Sequence, residues 1–116
     1  MADDGSVNLA RLIRALRRFN QFDTKMQVST ILTLLESAKA SMDGSPLSVS
    51  DLTDLIGMPS GTTSRNAYYW AEGHKDNTGR HLMLTISPNA DDRRRRDIEL
   101  TARGKAFVNS IVDDLR

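Results

Sequence analysis

Four consecutive arginines, Arg93 to Arg96, stand between Asp91-Asp92 and Asp97. Guanidinium groups grip phosphate or carboxylate through paired N–H donors, so the run reads either as a nucleic-acid contact or as a solvated, self-neutralising loop. A second set, Ser60, Gly61, Thr62, Thr63, Ser64 and Arg65, gathers hydroxyls and one guanidinium at the start of a predicted helix. Groups of that kind hydrogen-bond base edges and phosphates. Other chemistry finds less support. His74 and His81 lie seven residues apart across a predicted loop, which is no helical ligand pair, and no further ligands accompany them, so no metal site is expected. Ser, His and Asp all occur, but no nucleophile elbow, phosphate loop or HExxH frame arranges them. No catalytic site and no cofactor is expected. The absence of cysteine removes disulfides, thiolate metal sites and thiol redox chemistry.

The elements that must position these groups fit one domain of 116 residues. A net charge of +1 hides an uneven distribution: residues 1 to 58 carry six basic and seven acidic side chains, residues 59 to 105 nine and six, and residues 106 to 116 one and two. The middle of the chain is therefore basic and the ends lean acidic. The N-terminus opens acidic and breaks its apolar residues with arginine, unlike a secretory signal, and no apolar run approaches membrane-spanning length. A cytoplasmic location is expected.

Leu9, Leu12, Ile13, Leu16 and Phe19 recur at helical spacing after Asn8, a predicted N-cap, with Arg11, Arg14 and Arg18 on the other side. This stripe must dock on the domain, on a second copy or on another partner. A second helix, capped by Asp23 or Thr24, carries Met26, Val28, Ile31, Leu32, Leu34, Leu35 and Ala38 and ends before Asp43-Gly44-Ser45-Pro46. Residues 46 to 48 allow only an edge-strand fragment. Ser50 is the predicted cap of a third helix with Leu52, Leu55 and Ile56, closed by Gly57. The fourth, from about Pro59 to Glu72, puts Thr63, Ala67 and Trp70 on one face and Thr62, Arg65 and Tyr69 on another. After a polar loop over residues 73 to 80, Leu82, Leu84 and Ile86 alternate with His81, Met83 and Thr85 as in a half-buried strand. Ile98 and Leu100 mark its hairpin partner, with the arginines at or beside the tip. Thr101 caps a last helix bearing Phe107, Val108, Ile111, Val112 and Leu115.

Helix, helix, short strand, helix, turn, helix, basic-tipped hairpin, helix is the order of a winged helix-turn-helix, mainly α with a small β-hairpin. The fourth helix would enter a major groove and the arginine tip a neighbouring minor groove or backbone. Thr62 is favoured over Thr63 for base or phosphate contact. Arg94 and Arg95 lead Arg93 among the wing arginines, and strand alternation leaves one of the run to pair with Asp92 or Asp97.

From about Met26 to Asp113 the sequence resembles the MarR family of transcription regulators. The likeness is carried by Leu52 to Gly57 before the turn, Ser64-Arg65 in the fourth helix, Asp92-Arg93-Arg94-Arg95 in the hairpin and Leu100-Thr101-Ala102-Arg103-Gly104 at the last helix. The resemblance implies a homodimer on a pseudo-palindromic operator, with a dimer surface from the terminal helices: Leu9, Leu12, Ile13 and Leu16 with Phe107, Ile111 and Leu115. The expected layout is a dimerisation helix over 1–22, a winged core over 24–100 and a C-terminal helix over 101–116. The expected function is a sequence-specific, double-stranded-DNA-binding regulator acting as a repressor, with Ser60, Thr62, Ser64, Arg65, Tyr69, Arg93, Arg94 and Arg95 on DNA. The alternative is a winged-helix protein-interaction module or an accessory DNA-binding protein without its own operator. No residues identify an effector pocket, so ligand sensing is not carried over.

Overall fold

A computed structural model describes residues 4–73 and 81–116. Helix α1 (Asp4–Asn20) starts a turn earlier than expected: Asp4 lies in its first turn and Arg17 and Arg18 in its last, both favourable to the helix dipole. Asn8 is therefore inside the helix and not its cap. Asp23 does not cap α2 (Val28–Met42) either, because its carboxylate accepts the Lys25 N–H at 2.9 Å and shapes the turn between the helices. The N-cap position falls to Gln27. Small and polar side chains, Thr30, Thr33, Ser37 and Ala38, join Leu34 on the buried face of α2, while Val28 and Leu32 stay exposed.

Strand β1 (Leu47–Ser48) leads directly into α3 (Val49–Ile56). Ser48, not Ser50, is the cap. Its hydroxyl accepts the Asp51 N–H at 3.0 Å while the Asp51 carboxylate accepts the Ser48 N–H at 3.0 Å, a reciprocal box that needs an acceptor three residues on. Counting from Ser50 that position is Thr53, whose hydroxyl is bonded to the Val49 carbonyl. Gly57 closes α3 with φ +75°, a left-handed conformation that disfavours side chains. Helix α4 (Ser60–Trp70) follows Pro59 and is shorter than expected. Returning backbone ends it: Met83 N–H bonds Trp70 O at 2.7 Å and Leu82 N–H bonds Ala71 O at 3.0 Å.

That return also corrects the first hairpin strand. Residues 82 and 83 direct their N–H groups to the end of α4, so β2 begins two residues after Leu82 (Leu84–Pro88). Leu82 has φ +54° and is exposed, and Met83 is buried in its place. β2 pairs antiparallel with β3 (Arg96–Leu100), Ile86 opposite Ile98, and β1 adds to the other edge of β3 through Leu47 and Ser48. Thr101 caps α5 (Ala102–Asp114) as expected, accepting the Gly104 N–H at 3.0 Å and donating to the Leu82 carbonyl at 2.6 Å.

Phe19, Leu34, Leu52, Ala67, Trp70, Met83, Leu84, Ile98 and Ile111 form one core. Phe19 and Phe22 meet Trp70 and Phe107 with ring centroids 5.3 to 6.0 Å apart. Arg18 joins α1 to α5 through a two-armed ion pair with the buried Asp114, its Nη2 3.1 Å from Oδ1. The long axis, 56 Å against 30 and 27 Å, agrees with an α1 that buries only Ala15 and Phe19. Among the described residues no helix is long and apolar enough to cross a membrane.

A Cβ on Gly104 would lie 2.0 Å from the Met83 carbonyl oxygen, which is backbone and cannot swing aside. Gly104→Ala should lower unfolding free energy by about 2 kcal/mol or more, read as a shifted urea midpoint, whereas an unchanged midpoint contradicts this packing. The hydrogen bond from Arg18 holds the Asp114 carboxyl below the usual carboxylate range. Its folded pKa is lower than its unfolded one, so the pair's contribution is complete above the unfolded value and is lost as pH falls through the folded value. Asp114→Asn should therefore give a shallower acid limb in stability measured from about pH 6 downwards.

Candidate nucleic-acid interface

Burial of Thr63, Ala67 and Trp70 fixes the roll of α4. Ser60 and Arg65 are exposed, and Thr62 and Ser64 are half-buried. Arg65 lies over its own helix, Nη2 3.5 Å from the Thr62 hydroxyl. Thr63 is spoken for: its side chain is buried and its hydroxyl is directed at the Pro59 carbonyl.

Tyr69 lies on the flank of α4 that faces the turn between α1 and α2. Its ring packs on Trp70 at 5.1 Å and on His81 at 4.7 Å, beside Asn66 and the turn that joins α1 to α2, and burial pushes its phenol pKa up. Tyr68, which sequence reasoning passed over, is the tyrosine that meets the wing. Its hydroxyl accepts from Arg96 Nη1 at 2.9 Å, tying α4 to the start of β3, next to the wing tip. The available signal was its spacing of four from Ser64 and three from Arg65, which puts it on their side of the helix.

The wing tip, residues 89 to 95, is folded on its own polar side chains. Asn89 Oδ1 accepts the N–H groups of Asp91 and Asp92 at 2.7 and 3.0 Å, and its Nδ2 donates to Asp97 at 2.8 Å. Asp92 Oδ1 accepts the Arg94 N–H at 3.0 Å, and backbone bonds join Asn89 to Arg95 and Arg95 to Asp92. This frame is an Asx-type turn built into a hairpin.

The four arginines separate by environment. Arg93 is exposed and makes no hydrogen bond or ion pair among the described residues. Arg94 has a side chain 93% exposed and touches Asp92 only at 3.5 Å. Arg95 is held by three partners: Nε to Asp97 at 2.7 Å, Nη2 to Asp51 at 3.1 Å and Nη2 to the Pro46 carbonyl at 2.9 Å. Arg96 bonds Tyr68. Asp51 is held below the usual carboxylate range, first by the Ser48 N–H and further by Arg95. A polar groove between the wing and the start of α3 is lined by Ser50, Asp51, Asp92, Arg94 and Arg96.

The residues expected at a dimer surface divide into two groups. Leu9, Leu12, Ile13, Leu16 and Leu115 are exposed. Phe107 packs on Phe19 and Phe22, and Ile111 is buried, both inside the chain. His74 lies outside the described residues. His81 is boxed by Phe22, Tyr69 and Trp70, and burial lowers its pKa, with Arg103 adding to the effect.

No protein-family model matches the chain, and no curated protein matches it in sequence. Solved structures match it in fold. A variant of MepR from S. aureus is 20% identical with a TM-score of 0.65, over 86% of this chain and 64% of that one. A MepR–DNA complex from the same organism is 17% identical with a TM-score of 0.65, over 90% of this chain and 72% of that one. MarR is 17% identical with a TM-score of 0.61, over 89% and 71%. The chain thus spans just under two thirds of the length of the MepR variant. Several of the matching structures are MarR-family regulators, and the chain has their winged-helix fold, with five helices and a three-stranded antiparallel sheet among the described residues.

Proposed function

We propose, from the shared winged-helix fold as premise, that the chain is a MarR-type regulator that binds a pseudo-palindromic operator in double-stranded DNA as a homodimer and represses transcription from it. One observation carries the reading: two exposed arginines, Arg93 and Arg94, crown a wing whose tip is already shaped by Asn89 and Asp92. The backbone that carries them is already shaped, so it loses little freedom when they meet phosphates or a narrow minor groove. Arg65 and Ser60, with Thr62 and Ser64, form the major-groove side of the contact on α4. MepR, with the same fold, has been solved in complex with DNA.

Support for the homodimer comes from α1. Leu9, Leu12, Ile13 and Leu16 are exposed along a helix whose buried residues, Ala15 and Phe19, both lie in its second half. Four large apolar side chains in one exposed stripe are the mark of an interaction surface, and a second copy would cover them. The dimerisation segment is accordingly residues 1–22 with the end of the 101–116 helix, and the DNA-binding core is 24–100. A two-fold axis would set half-sites about 10 base pairs apart or at a multiple of that.

Selection from random duplex DNA should enrich a two-fold motif, and Arg94→Ala should reduce the slope of log affinity against log salt by about one unit. No motif, with residual binding indifferent to salt, would refute the reading. The double substitution Leu12→Glu and Ile13→Glu leaves Ala15 and Phe19 in place and should yield a folded monomer in sedimentation velocity. An unchanged dimer would remove α1 from the interface.

A further inference from the structure

We infer that Arg95 is a positioning residue and not a DNA contact: it sets the stance of the wing against α3, and thereby the reach from α4 to Arg93 and Arg94. The inference rests on the DNA-binding reading above and names what tunes its specificity.

Arg95 joins segments far apart in sequence. Through Nε it holds Asp97 of β3, and through Nη2 it holds both Asp51 of α3 and the carbonyl of Pro46, which leads into β1. Each partner has a second duty. Asp51 closes the capping box of α3, and α3 passes to α4 through Gly57-Met58-Pro59 alone, so the start of α3 and the recognition helix move together. Asp97 holds the side chain of Asn89, which shapes the wing tip. A continuous polar path therefore runs from α3 through Asp51, Arg95, Asp97 and Asn89 to the arginines that crown the tip.

The sheet by itself is a weak brace for this stance. β1 meets β3 over only Leu47 and Ser48, too little ladder to resist rocking. The clamp lies beside that short pairing and supplies the missing stiffness. Electrostatics separates Arg95 from its neighbours. A phosphate approaching it would compete with two carboxylates within hydrogen-bonding distance, whereas Arg93 faces none and Arg94 only a solvent-exposed Asp92. The forked guanidinium is needed because two nitrogens address three oxygens; a lysine ammonium cannot span them.

The test compares Arg95→Lys and Asp51→Asn with the unaltered full chain, by selection from random duplex DNA and by affinity for the site that the unaltered chain selects. Circular dichroism checks folding, and Asp51→Asn serves if Arg95→Lys fails to fold. Both variants should retain the preference at base pairs read by α4, lose preference at the flanking pairs read by the wing, and bind about tenfold more weakly. Asp51→Asn is the sharper arm. It removes an acidic charge beside the wing arginines, so attraction to DNA alone predicts tighter binding, while loss of the clamp predicts looser flanks. Arg95→Lys with full affinity and intact flanks would mark Arg95 as a phosphate contact that lysine can replace, and would overturn the inference. Asp51→Asn with unchanged or tighter binding and intact flanks would overturn it too. Failure of the unaltered chain to select any motif would bring down the DNA-binding reading itself, and that outcome is read without either variant.

Discussion

The fully buried indole of Trp70 is the contact on which the arrangement turns. Its N–H donates to the Thr30 carbonyl at 2.7 Å, its own carbonyl accepts from Met83 at 2.7 Å, and Phe19 and Phe22 close on it edge to face. One residue at the end of α4 thus meets α2, the strand entry and the end of α1. Burying an indole needs a partner for its N–H, and using the α2 backbone as that partner fixes the depth of α4 as well as its roll. The small residues of α2, Thr33, Ser37 and Ala38, are intelligible from this: a helix that seats large aromatic neighbours closely needs room beside its backbone. Everything displayed by α4, from Ser60 to Tyr68, takes its direction from that seat.

Much of this was legible in the residue pattern, and the failures are instructive. Gly57, Thr101, the buried face of α4, the edge character of residues 47–48 and the arginines at a hairpin tip all follow from local rules that tertiary structure did not override. Asn8, Ser50 and Asp23 are each competent cap residues by type, but α1 already runs past Asn8, the Asp23 carboxylate is taken by the Lys25 N–H, and Ser48 has Asp51 three residues ahead where Ser50 has only Thr53. Leu82 fits an alternating strand until the backbone of residues 82 and 83 is drawn to the end of α4, a long-range demand that no window along the sequence contains. Tyr68 and Tyr69 lie on opposite flanks of the outward side of one helix, and only the neighbours of each flank decide which of them meets the wing. Phe107 and Ile111 have the periodicity of any apolar stripe; that Phe19 and Phe22 cover them was a fact of packing.

The near-neutral total of +1 also acquires a physical meaning. Three acidic residues at and beside the wing are structural, with Asp92 and Asp97 folding the tip and Asp51 and Asp97 holding Arg95. A run of four like charges would otherwise repel itself apart. Here the carboxylates hold the run together and leave the side chains of Arg93 and Arg94 exposed.

Helix α1 divides its obligations along its length. Phe19 and Ala15 are constrained by the interior, and Arg18 by Asp114, so changes there are judged by whether the chain folds. Leu9, Leu12 and Ile13 are exposed and lie outside the core that the described residues form. Over evolutionary time the two halves can therefore drift at different rates: the inner half is held by an interior that changes slowly, while the outer half is free to change its company, and a duplicated gene could part from its sibling there without disturbing a single core contact.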